Sequence, residues 1–120
     1  MTNTVETLIR QLGTSPDTVT FKQVIDVINA HYVYTPANFT NGEGEGRAVN
    51  LAGTNEGSCR IFGFGKLHGL NEQQTLSCFG DYYRVDVLQH PDGTDHANIR
   101  NFMRSGWAGI TFDTLPLQKK

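Results

Sequence analysis

Apolar positions recur at helical spacing along most of the chain and alternate only in short stretches. Val5, Leu8, Ile9 and Leu12 stand at i, i+3, i+4 and i+7, with Asn3 and Glu6 as a capping pair and Gly13 placed to close the helix. Pro16-Asp17 makes the segment 14–19 a turn. Thr20 and Gln23 form a second capping box ahead of Phe21, Val24, Ile25, Ile28 and Tyr32, with Val27 and His31 at the edge of that stripe. Thr35-Pro36 ends it, because a residue before proline avoids helical ψ. The widest pattern lies in 71–88. There Asn71 is the cap, Leu76, Phe79, Tyr83 and Val87 form the stripe, and Cys78, Tyr82 and Val85 widen it. Gln73, Ser77, Gly80, Asp81 and Arg84 fill the opposite arc. This spacing predicts one continuous central helix with neighbours on more than one side, and it puts Asp86 inside the buried arc.

The remaining segments are shorter. Phe39-Thr40 and Ala48 to Leu51 can pair as a hairpin across the Gly/Glu-rich stretch 41–47, which reads as a mobile surface loop. Residues 59–68 fit a strand weakened by Gly63 and Gly65, or a helix starting at Ser58 and closed by Gly69. Caps at both ends favour the helix, and its glycines would admit another backbone, that of the central helix. After a turn at 90–93, Thr94 or Asp95 caps a last helix carrying Ile99, Phe102 and Met103, closed by Gly106 with Trp107 packing back on Phe102. Ile110 to Phe112 alternates like a closing strand beside Val49–Leu51, and 113–120 reads as a tail. The expectation is a single α+β domain over 1–120, mainly helical, with four to five helices and a small short-stranded sheet.

Composition narrows function mostly by exclusion. Ten basic against twelve acidic residues give no electrostatic case for nucleic acid or an anionic membrane. No apolar run reaches the ~18 residues of a membrane span. Two cysteines without a CxxC pair suggest neither a disulfide framework nor a zinc knuckle, and no cofactor motif is evident.

Candidate chemistry rests on a few residues. A buried Asp86 needs a partner, and Arg60, Arg100, His90 and His96 are available. His90, Asp92, Asp95 and His96 bring four potential metal ligands into seven residues, although Asp92-Gly93 already makes a turn and Asp95 a cap. Cys59 near a helix start, with His96 or His68 as base, permits a cysteine hydrolase; the bland alternative is a small buried residue. The N–H groups around Gly57 and Ser58, with Arg60 and Arg100, form a candidate anion site. Phe39, Asn41, Tyr34 and Trp107 could line an exposed aromatic groove for a partner.

The blocks NLAGTNEGSCRIFGFGKLHGL, EQQTLSCFGDYYRVDVL and PDGTDHANIRNFMRSGWAGITF resemble the HopJ type III effector family over about Phe21 to Phe112. The resemblance implies a protein of plant-pathogen type delivered by type III secretion, with no defined biochemical activity and no catalytic set to transfer. A leader for that route is an unstructured, serine-rich segment. Here a capped helix starts near Asn3 and Ser15 is the lone serine of that region, which favours the bacterial cytoplasm, with secretion into a host cell as the alternative. The expected role is therefore a module binding an unidentified protein or small molecule. The alternative is a small cytoplasmic enzyme using the Asp86/His96/Cys59 region.

Overall fold

The structure, a computed structural model, describes residues 4–120. Helix α1 (Val5–Thr14) starts at Thr4, whose Oγ1 accepts the Thr7 N–H at 3.0 Å. Asn3, the expected cap, lies outside the described residues. Gly13 does not close α1; the helix runs one residue past it and stops at Ser15. Helix α2 (Phe21–His31) is capped by Thr20, which accepts the Gln23 N–H, while the Gln23 side chain donates to Gln11 instead of completing the box; the helix buries Val24, Val27 and Ile28. It ends earlier than Thr35-Pro36 suggested. Tyr32–Tyr34 is strand β1, whose Tyr32 side chain turns into the core.

A hairpin follows, as the alternation indicated. β2 (Phe39–Asn41) pairs antiparallel with β3 (Ala48–Asn50) in the register Phe39↔Asn50, Thr40↔Val49, Asn41↔Ala48. Helix α3 (Glu56–His68) resolves the ambiguous segment in favour of helix, beginning two residues before Ser58 and closing at Gly69 with φ 64°. Gly65 makes room not for another backbone but for side chains, the Thr75 hydroxyl of the central region and the Trp107 ring. Gly63 instead meets Pro116 and Leu117 of the C-terminal segment.

The continuous central helix is not formed. α4 (Glu72–Ser77) has the capping box expected of Asn71, with Asn71 Oδ1 accepting the Gln74 N–H at 2.7 Å and Gln74 Oε1 accepting the Asn71 N–H at 3.0 Å. It then breaks at Gly80, φ 60°, and resumes as a π-helical segment, Tyr82–Val87. The physical reason is contact. A Cβ on Gly80 would lie 2.7 Å from the Phe21 backbone nitrogen, so this point of the chain is pressed against the start of α2. The break re-aims the faces that follow. Ser77 and Gly80 are buried, whereas Tyr82 and Val85 are 44% and 40% exposed, contrary to the periodic expectation.

Helix α5 (Ala97–Ser105) starts at His96 rather than at Thr94 or Asp95, and it buries Ile99 and Phe102 but exposes Met103. Gly106, φ 59°, ends it, and Trp107 packs edge-on against Phe102 with centroids 5.1 Å apart, as expected. β4 (Thr111–Phe112) joins the hairpin on the β2 side, giving the order β3-β2-β4, not beside Val49–Leu51. The supposed tail contains β5 (Leu117–Lys119), which pairs antiparallel with β1 and buries Leu117. Phe62 of α3 is the middle of the core, its ring centroid within 5.0 Å of Phe102, 5.5 Å of Phe79 and 5.8 Å of Phe39. The result is a mainly helical α+β domain in which α5 lies across one face of the small sheet.

Candidate functional site

The seam between α5 and the sheet is polar. Asn41, Asn50, Asn98 and Asn101 are all buried there. Asn98 donates to Asn50 Oδ1 at 2.9 Å, and Asn98 Oδ1 accepts from Asn50 at 3.1 Å and from Asn41 at 3.0 Å. Asn55 donates to the same Asn50 Oδ1 at 2.7 Å. Two complementary amides facing each other satisfy both donor and acceptor without a charge, so this network fixes α5 against the hairpin and sets where α3 begins.

Above this floor lies an open cleft of about 520 Å³, a volume suited to a small ligand or a short peptide segment. One wall is β3, Ala48 to Asn50; the others are the starts of α3 and α5 and the rings of Phe21, Phe79 and Tyr82. Phe21 and Tyr82 stand edge to face at 5.0 Å. The residues preceding the two helices, Asn55 (φ 49°) and His96 (φ 51°), have left-handed backbones, the non-glycine residues that do so among those described. Neither supplies a side-chain cap to its helix. The first turns of α3 and α5 therefore present backbone N–H groups at the cleft, where Gly57, Ser58, Ala97 and Asn98 line it. Strained caps of this kind concentrate at functional sites.

The sequence-derived candidates divide on this geometry. Gly57, Ser58 and His96 line the cleft. Asp86 finds its partner in His96, with Oδ2 3.1 Å from Nε2, which ties the π-helical segment to the start of α5. Asp86 is half-exposed, not buried, because the break at Gly80 turned its face outward. Arg100 and Arg60 are committed elsewhere. Arg100 donates to Asp95 O at 2.6 Å, Asp95 Oδ1 at 2.7 Å and His90 O at 2.9 Å, fastening the 90–95 loop. Arg60 stacks 3.9 Å over the Tyr34 ring and donates to Asn29.

His90, Asp92, Asp95 and His96 do not assemble a cage. No group of three or more potential ligands converges among the described residues. The Arg100 hydrogen bond holds the Asp95 carboxyl below its usual range. Cys59 is not placed as a nucleophile. It sits inside the core near the Ala37 carbonyl, and burial pushes its thiol pKa up rather than down. His68 lies at the other end of α3 and is hydrogen-bonded to the Tyr32 hydroxyl. The expected aromatic groove is not formed: Phe39 and Asn41 are buried, and Trp107, half-buried, packs against the core while donating to Leu70 O at 2.9 Å. Asn50, Asn55, Asn98, Phe21 and Tyr82 were not among the sequence candidates. The available signal was Asn55 directly before Glu56, since asparagine is the residue that most readily adopts a left-handed backbone after glycine.

Comparison with known proteins agrees with this architecture. The family model of the HopJ type III effector protein matches residues 5–117, so the chain belongs to the HopJ family. A crystal structure described as unknown function protein VPA0580 is similar over 97% of this chain and 93% of that one, at 46% identity and TM-score 0.92. No curated protein matches.

Proposed function

We propose that this HopJ-family chain is an effector-like binding module whose recognition site is the cleft between β3 and the starts of α3 and α5. The observation carrying this reading is the convergence of two helix N-termini without side-chain caps, each preceded by a strained residue, on one open cavity. Free N–H groups at a helix start attract acceptor-rich and anionic groups. The floor of buried amides keeps both helix starts fixed, so the site is preformed.

An amide-resolved NMR titration with small carboxylates, phosphates, nucleotides and short-peptide pools tests it. Binders are expected to shift Glu56 to Ser58, Ala97 to Ile99 and Val49. Binding that leaves these amides unmoved, or a whole panel without effect on them, refutes the reading. The Asp86–His96 pair beside the Ser58-lined cleft favours a second reading, general acid–base chemistry on the bound ligand. Turnover of activated esters that is lost in His96→Gln would select it. For the place of action we propose the bacterial cytoplasm, with delivery into a host cell, which the HopJ family suggests, as the alternative. Export of a reporter fused behind α1 from a secretion-competent cell would overturn that and restore host delivery.

A further inference from the structure

The cleft reading can be taken to the class of occupant, because the hydrogen-bond phase of the sheet defines what one wall offers. On the β4 side, Asn38 O accepts from Asp113 N at 3.1 Å and Gly42 N donates to Gly109 O at 3.1 Å. In an antiparallel ladder the bonded positions alternate, so Thr40 also turns its N–H and C=O toward β4, opposite Thr111. Phe39 and Asn41 then face β3 and pair with Asn50 and Ala48. Val49, between them, directs its own N–H and C=O away from β2, to the free edge of the sheet. The Val49 side chain is 63% exposed, and Leu51 beyond it 62%. This edge is the wall of the cleft.

Resting on the proposed role of the cleft, we infer that its occupant is an extended peptide segment of a partner protein, added as a strand to β3. A residue opposite Val49 would exchange two main-chain hydrogen bonds with it. Its two neighbours would turn their side chains to the other face, into the cleft. One then meets the Phe21–Tyr82 wall, where an aromatic or large apolar side chain fits. The other meets the starts of α3 and α5, where a carboxylate complements the positive ends of two helices that have no side-chain cap. The recognition pattern is thus an acidic and an aromatic residue two positions apart, in a segment free of proline at the paired position.

Selection from a displayed library of short random peptides tests this on the full chain. Enriched sequences are expected to carry the acid and the aromatic at that spacing. The Val49 amide proton should become protected from exchange when a selected peptide is bound. Val49→Pro removes that N–H without touching a bond to β2, and is expected to weaken peptide binding about tenfold with the unfolding midpoint unchanged. An amide-to-ester replacement at Val49 repeats the test should proline disturb the hairpin. Peptides that shift the cleft amides yet leave Val49 unprotected and bind Val49→Pro equally would refute strand addition while leaving the cleft as the site. Strand addition is likewise refuted, and the cleft kept, if small carboxylates or phosphates bind there and no peptide does. Failure of every probe to shift those amides would refute both.

Discussion

Gly80→Ala should destabilise the protein far more than its chemistry suggests, and the structure says by how much. Two costs add. A left-handed backbone with a Cβ costs about 1–2 kcal/mol, and Gly80 has φ 60°. The added methyl would also lie 2.7 Å from the Phe21 nitrogen and 3.3 Å from the Thr20 carbonyl carbon, backbone atoms that cannot rotate aside. Forcing such an overlap costs about 1–3 kcal/mol. Gly44→Ala is the matched control, because Gly44 has φ 66° but nothing within 4 Å of the new methyl. The entropic effect of alanine on the unfolded chain is shared by both variants, so their difference isolates the contact. Urea unfolding of the two should therefore differ by about 1–3 kcal/mol, with unchanged slopes. The Phe21–Tyr82 wall of the cleft should also move, read as shifted ring resonances of both residues. Equal stabilities for the two variants would refute the claim that contact with α2 is what breaks the central helix.

Other consequences are quicker to state. Asn98→Ala should cost about 1–3 kcal/mol, measured by thermal or urea unfolding, because it strands the buried Asn50 amide that Asn98 Oδ1 accepts from. His68 is held below its ordinary pKa by burial and by Lys119. The unfolded chain takes up that proton near pH 6.5 while the folded chain resists it, so stability is complete above about pH 7 and falls as pH drops through about 6.5, levelling below the folded value. Urea midpoints across that range should show the decline, and His68→Gln should flatten it. Burial raises the Cys59 thiol and pushes Cys78 up to about 12. Native protein should resist iodoacetamide, and mass spectrometry should find both thiols labelled once denaturant is added; rapid labelling of Cys59 in the folded state would reopen its candidacy as a nucleophile.

What was legible in the chain followed from forces acting within a few residues. The caps at Thr20 and Asn71, the stop at Gly69 and the Phe102–Trp107 contact depend on local backbone chemistry, and each stands where its residues indicate. The break at Gly80 did not show, because nothing between Asn71 and Leu88 states that Thr20 and Phe21 will press on that point. Once it is there, periodicity extrapolated past it assigns Tyr82, Val85 and Asp86 to the wrong side. The same reason hid the site. His96 was visible as a titratable residue, but its importance lies in a left-handed backbone that starts a helix without capping it. Asn50, Asn55 and Asn98 carry no reactive group and read as turn formers, yet folding across the β2–β3 hairpin brings them together as the floor of a cavity. The proposed site, made of main-chain N–H groups and a free strand edge, leaves little trace in side-chain identity, since any residue but proline supplies those groups. It is also why its occupant is best sought among ligands read through the backbone, with Val49 as the position at which to ask.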